Sequence, residues 1–104
     1  LMIPITDSTG APVAFGARTV PYPGWPEQEV KYLNSAESAV FRKRETLYAR
    51  HLARRESRKR GEVVVVEGYL DAIALHAVGI DNVVACLGTS LTEGQLTACA
   101  QMIE

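Results

Sequence analysis

The chain has 104 residues, 11.3 kDa, 47% apolar and 22% charged residues and a net charge of -1, which fits one globular domain or part of one and excludes a multidomain or disordered protein. No apolar run approaches the roughly 18–20 residues of a membrane span, and Leu1-Met2-Ile3-Pro4 lacks the basic flank of a signal peptide, so the expected setting is cytoplasmic with no membrane partner. The near-zero charge conceals a segregation: nine of the eleven Lys and Arg lie between Arg42 and Arg60 with only Glu45 and Glu56 among them, a local +7, while the remainder carries -8.

Met2 to Thr6 and Pro12 to Val20 are apolar runs separated by Asp7-Ser8-Thr9-Gly10, the composition of a reversing turn, and predict a β-hairpin. Pro21, Pro23, Gly24 and Pro26 then break both helix and central strand, so Pro21 to Glu29 is expected as a surface loop. Within it Tyr22 and Trp25 read as loop-anchoring aromatics before they read as base-stacking ones. Lys31 to Ser35 is too short to classify, and Asn34 to Ser38 is rich in residues that bond their own backbone.

A helix fits Phe41 to Arg60. Phe41, Tyr48 and Leu52 share one face at spacings of seven and four, Arg50, Arg54 and Arg58 share another, and Gly61 can end it. This basic run reads either as a solvated helix face or as a surface for a polyanion, which would release its own counterions on binding.

Glu62-Val63-Val64-Val65-Val66 suits a strand buried on both faces of a parallel sheet, ending at Glu67-Gly68 where the glycine lets the backbone turn. A helix from Leu70 to Val78, closing at Gly79, leads to a second strand within Asp81 to Leu87. Gly88-Thr89-Ser90 turns the chain into another helix from near Leu91, capped by Ser90 with Glu93 or Thr92 with Gln95, and this helix is expected to be still running at Glu104. Strand, helix, strand, helix specifies a parallel βαβα unit. A two-stranded parallel sheet leaves edges open, so the unit reads as truncated.

Glu67 projects from the carboxyl end of a buried strand, where ligands sit in open α/β sheets, and Asp71 follows at the start of the next helix. The two can converge on a hard cation such as Mg²⁺; equally, Asp71 can simply favour the helix N-terminus while Glu67 is a solvated strand-end acid. Cys86 and Cys99 lack metal or disulfide spacing and read as small core residues. His51 and His76 stand alone without ligand partners.

Val66-Glu67-Gly68-Tyr69-Leu70-Asp71 followed by Ala85-Cys86-Leu87-Gly88-Thr89-Ser90 resembles the TOPRIM segment of bacterial DnaG-type primases. Upstream, Ile3-Pro4-Ile5-Thr6-Asp7 with Gly10, Phe15-Gly16-Ala17-Arg18, Lys31-Tyr32-Leu33-Asn34-Ser35, and Phe41, Lys43 and Leu47-Tyr48 are similar to that family's further motifs, in order and at approximate spacing. Ala17 replaces a family glycine, Ala36 and Ser38 replace a Pro and a Thr, Cys86 stands where a small polar residue is common, and Pro21 to Val30 is longer than the family's corresponding stretch.

The resemblance implies a mixed α/β piece of an RNA-polymerase core: residues 1–60 from the small N-terminal α/β subdomain with its basic helix, and residues 61–104 from the first half of the TOPRIM fold. It implies a DNA primase, a DNA-directed RNA polymerase making short RNA primers from NTPs on a single-stranded DNA template. Glu67 and Asp71 are then the catalytic acids of an incomplete Mg²⁺ or Mn²⁺ site, because the family's later acidic motif would lie beyond Glu104. Arg18, Lys31, Asn34 and Lys43 match positions that hold NTP or nucleic acid, including the RNA–DNA hybrid. Zinc is implied only for a separate N-terminal domain, and a replicative helicase only as a partner of another part of the protein. The isolated chain is expected to be inactive as a polymerase. The rivals are another TOPRIM enzyme, such as a topoisomerase or nuclease, and a non-catalytic nucleic-acid-binding relative.

Overall fold

The computed structural model describes residues 1–19, 23–24 and 32–104. The expected loop from Pro21 to Glu29 therefore lies, but for Pro23 and Gly24, outside the described residues, as do Tyr22, Trp25 and Lys31.

β1 (Met2–Thr6) and β2 (Pro12–Arg18) form the expected antiparallel hairpin, and β3 (Tyr32–Asn34) extends it into a three-stranded sheet in the order β1-β2-β3. The hairpin alternates as a half-buried strand pair should, with Ile3 opposite Gly16 and Ile5 opposite Ala14 on the buried face. Its turn is held by Asp7, whose Oδ1 accepts from the Thr9 N–H at 2.9 Å, the Thr9 hydroxyl at 2.6 Å and the Ala11 N–H at 3.0 Å.

The helix expected from Phe41 occupies only its second half, α1 (Arg50–Arg60). Tyr48 instead pairs with Ala85, its N–H donating to the Ala85 carbonyl at 2.8 Å and its carbonyl accepting at 3.1 Å, and Ala49 turns the chain through φ 65° before the helix starts. Phe41 is fully buried against Ile3, Ile5 and Tyr69. Tertiary burial and a sheet bridge therefore override a helical pattern. The inward face of α1 is also not the expected one: Ala53 and Ser57 are buried, whereas Leu52 is 67% exposed.

β4 (Val64–Val66) and β5 (Val83–Ala85) pair in parallel, joined by α2 (Tyr69–Ala77), and α3 (Glu93–Met102) follows. β5 is wholly buried, but β4, expected to be buried on both faces, is only partly so, with Val64 at 37% exposure. The reason is position: β5 has β4 on one side and the Tyr48 bridge on the other, while β4 pairs only with β5 among the described residues. Alternate β5 residues serve opposite layers. Val83 and Ala85 pack under α2 with Ala72, and Val84 packs with Leu47, Ala53, Ala98 and Met102 under α1 and α3.

Of the two caps available to α3, Thr92 with Gln95 forms the reciprocal box, with Gln95 N–H to Thr92 Oγ1 at 3.2 Å and Thr92 N–H to Gln95 Oε1 at 3.0 Å. The helix ends at Met102 rather than running on to Glu104.

Candidate metal and nucleotide site

Among the residues that join the first sheet to the second unit, with Leu70 and Leu87, is the tyrosine of the Glu67 motif. Tyr69, in the first turn of α2, is buried with Ile3, Ile5 and Phe41, donates its hydroxyl to the Ala17 carbonyl at 3.2 Å and lies against Gly16. A Cβ at Gly16 would stand 3.0 Å from the Tyr69 ring, so the glycine of Phe15-Gly16-Ala17-Arg18 is the condition for this close approach. Gly16 is also the partner of Asn34 across the β2–β3 ladder, and Arg18 lies two residues further along the same face. The Tyr69 contact thereby carries the β3 end of the first sheet to the carboxyl end of β4.

There Asn34, Glu67, Gly68, Asp71, Cys86 and Gly88 line one cavity of about 340 Å³ beside Tyr69. Glu67 follows β4 directly and is exposed, and Asp71 is exposed in the first turn of α2, where a carboxylate is favoured by the helix dipole. The chain bends at Glu67-Gly68, as expected from the sequence. The φ of Gly68, -132°, is open to any residue, and a Cβ there would make only an ordinary contact of 3.6 Å with Asp71 Oδ2. Gly88, by contrast, has φ +74°, a conformation that favours glycine, and sends the chain past the Asn34 amide.

The Oδ1 of Asn34 is buried and has no hydrogen-bond donor among the described residues. A buried amide oxygen normally has a partner, and one without it beside two carboxylates has the character of a ligand position. A second cavity of about 630 Å³ opens on the other side of Glu67 and includes Thr89, whose buried Oγ1 likewise lacks a partner among the described residues. Cys86, 4% exposed, has its thiol pushed up by burial and, secondarily, by the charge of Glu67, and reaches Gln95 Oε1 at 3.6 Å. It is a packing residue, as expected.

The oxygens fit a hard cation. Mg²⁺ commonly takes one or two protein carboxylates and completes its shell with water and substrate phosphate, and Glu67 and Asp71 are two such carboxylates lining one cavity. No group of three or more His, Cys, Asp or Glu that could hold a metal occurs among the described residues.

Arg18 and Lys43 do not line this cavity. Arg18 is half-buried at the end of β2, and Lys43 sits in the turn before Leu47. That turn is fastened by a residue whose wider role the sequence did not reveal. Gln95, fully buried, donates from Nε2 to the carbonyls of Lys43 and Thr46, both at 3.1 Å, while its Oε1 completes the α3 cap. Thr92 Oγ1 donates to the Arg44 carbonyl. The capping-box pattern flagged Thr92 and Gln95, but not the chain they hold 48–52 residues away.

His76, half-buried, bonds the Val83 carbonyl at 2.9 Å and has Asp81 at 3.7 Å, a packing arrangement. No helix is long and apolar enough to cross a membrane among the described residues.

Residues 1–54 match the family described as DNA primase catalytic core, N-terminal domain, and residues 61–103 match the Toprim domain. A DNA primase of Synechococcus elongatus is 46% identical over 104 residues, all of this chain and 14% of that protein. Among solved structures, the RNA polymerase domain of the Mycobacterium tuberculosis primase DnaG in complex with double-stranded DNA superposes with a TM-score of 0.85 at 33% identity, covering 98% of this chain and 32% of that one. A DnaG primase catalytic domain bound to single-stranded DNA gives a TM-score of 0.79 at 36% identity, covering 97% and 31%.

Proposed function

The chain belongs to the DNA primase catalytic-core family, and from that premise we propose that it is the part of an RNA-polymerase core that brings a divalent cation, NTPs and a DNA template together around Glu67. The observation that carries this reading is the shared cavity, in which Glu67, Asp71 and the unpartnered Asn34 oxygen stand together at the carboxyl end of β4. Residues 1–60 act as the nucleotide- and template-facing half, and residues 61–104 as the acidic half.

Glu67 and Asp71 would hold Mg²⁺ or Mn²⁺, which when bound supplies charge neutralisation at the reacting phosphate and an activated primer hydroxyl. The Asn34 amide orients the nucleotide beside it. Arg18, Lys31 and Lys43 neutralise phosphates of NTP, template or the RNA–DNA hybrid, since phosphoryl transfer is mainly positioning and charge stabilisation. The Gln95 and Thr92 bonds fix the turn bearing Lys43, so that its ammonium is delivered from a rigid backbone. The crystals of relatives with single- and double-stranded DNA support a nucleic-acid partner. The match of residues 1–54 to the primase core favours this reading over a topoisomerase or nuclease, which the Toprim match alone would allow.

The test is primer synthesis from NTPs on single-stranded DNA by the full-length protein that carries this chain. We expect template-dependent RNA in Mg²⁺ or Mn²⁺, none in excess chelator, and a fall of about 10²-fold or more for Asp71→Asn, comparable to losing a principal charge-stabilising group. No RNA under any metal and template condition, with DNA binding intact, contradicts the proposal.

A further inference from the structure

On the basic helix, at the tip of the first hairpin, the exposed side chains form a second concave surface. Ser8 and Thr9 from the turn and Arg54, Arg55, Arg58 and Lys59 from α1 line a cavity of about 650 Å³ that shares no residue with the Glu67 cleft. The two elements are seated on each other at its wall. Gly10, with φ +90°, approaches His51 so closely that a Cβ would stand 2.9 Å from the imidazole, and His51 completes the lining.

The charge on this surface is only partly compensated: Arg55 and Lys59 feel the Glu56 carboxylate, whereas Arg54 and Arg58 line no hollow that holds an acid. Among the described residues no ion pair engages Arg54, Arg55, Arg58 or Lys59, whereas Arg60 is taken up by Glu56 at 2.7 Å. Asp7, the acid of the turn, is occupied by its own loop through the Thr9 and Ala11 bonds, which hold its carboxyl below the usual range. Glu56 and Asp81 line a neighbouring hollow together with Arg55 and Lys59.

We propose that this surface is a second docking site for the phosphate backbone of single-stranded DNA, apart from the Glu67 cleft. Three of the four cations are arginines, whose planar forks match phosphate oxygens bidentately, and the Ser8 hydroxyl shares the lining, as in many backbone contacts that position nucleic acid without reading its bases, while the Thr9 hydroxyl is donated to Asp7. Arg54 and Arg58 are one helical turn apart, about 6 Å along the axis, and present charge at the regular interval suited to a polymer of repeated phosphates. His51 is the one ring in the lining, and the cations match phosphates rather than base edges, so the binding is carried by the backbone and is insensitive to base sequence. The site rests on the primase reading insofar as the strand is a template, holding it where it runs outside the catalytic cleft.

The experiment is binding of a labelled oligothymidylate to the full-length protein by fluorescence anisotropy across a salt series, for wild type, a triple Arg54→Gln/Arg55→Gln/Arg58→Gln variant and the corresponding triple Lys variant. Each phosphate contact in a single strand contributes a slope of about 0.7 in log affinity against log salt. The Gln variant is therefore expected to lose about 2 from the slope and roughly 10-fold or more in affinity at low salt, and the Lys variant to keep the wild-type slope. In parallel, a photo-crosslinking benzoylphenylalanine in place of Thr9 is expected to capture the oligonucleotide, a readout that leaves the arginines unchanged. An unchanged slope in the Gln variant, or no crosslink at position 9, overturns the proposal and leaves the surface to an acidic protein segment. Primer synthesis by the wild type is measured alongside: its absence with the slope effect intact sinks the primase reading but not the docking site.

Discussion

Gly16 and Tyr69 form the contact on which the geometry of the site turns. The aromatic ring is fixed by its hydroxyl bond to Ala17, by the buried cluster of Ile3, Ile5 and Phe41, and by Tyr48, whose ring centroid lies 5.8 Å away. A ring held from three sides cannot yield the few tenths of an ångström that a Cβ at 3.0 Å demands. Gly16→Ala is therefore expected to destabilise the protein by about 1–3 kcal/mol, the usual cost of overpacking a tight contact, and to weaken NTP binding because Asn34 moves with its ladder partner. Urea unfolding and nucleotide titration check both effects. Unaltered stability would mean that the two units slide past one another freely at this contact.

The α3 N-terminus does two tasks with one side chain. Gln95 closes the capping box and holds the Lys43 and Thr46 carbonyls, so replacing it by Leu leaves two part-buried acceptors and the Thr92 N–H without these partners. At about 1–3 kcal/mol for each stranded group, Gln95→Leu should cost about 3 kcal/mol or more, measured by urea unfolding. The hairpin turn beside α1 carries a pH dependence. The Asp7 carboxyl is held below its ordinary 3.8 by the Thr9 side-chain and backbone bonds. The turn bonds are thus fully present above that value and are lost as pH falls through the lower folded value. An NMR titration of Asp7 should give a midpoint under 3.8, and a midpoint at or above it would contradict the turn geometry.

Most elements were legible in the sequence because their cues are local: the Asp7-to-Gly10 turn, the four valines before Glu67, the capping pair of α3. The start of α1 was not. Phe41 and Tyr48 repeat at helical spacing, yet one is drawn into the core beneath the hairpin and the other bridges to Ala85, contacts that no window around them contains. Likewise the valine run suggested a central strand, but burial depends on which strands lie beside it, and that order is set by the Tyr48 bridge. For the site, the positions of Glu67 and Asp71 at a strand end and helix start followed from pattern, whereas the arrival of Asn34 from a different sheet required the Gly16–Tyr69 contact.

Over the whole molecule, the two sheets share a core rather than sitting as separate pieces. Leu87, just after β5, packs in the same cluster as Ile3 and Ile5 of the first hairpin, so the acidic end of one sheet and the polar end of the other are fixed relative to each other. This arrangement places negative charge in the Glu67 cleft and concentrates positive charge on α1, a division suited to holding a cation at one place and a polyanion at another. The central claim is the proposal that Glu67 belongs to the metal chemistry and not to the fold; consistent with it, the residue is exposed and its side chain bonds no group among the described residues. The most direct measurement is primer synthesis by the full-length protein with Glu67→Gln, a near-isosteric change that removes only the charge, alongside single-stranded DNA affinity for the same variant. Synthesis lost by about 10²-fold or more with affinity and stability retained is the predicted result; synthesis at the wild-type rate would contradict the assignment of Glu67 to the site.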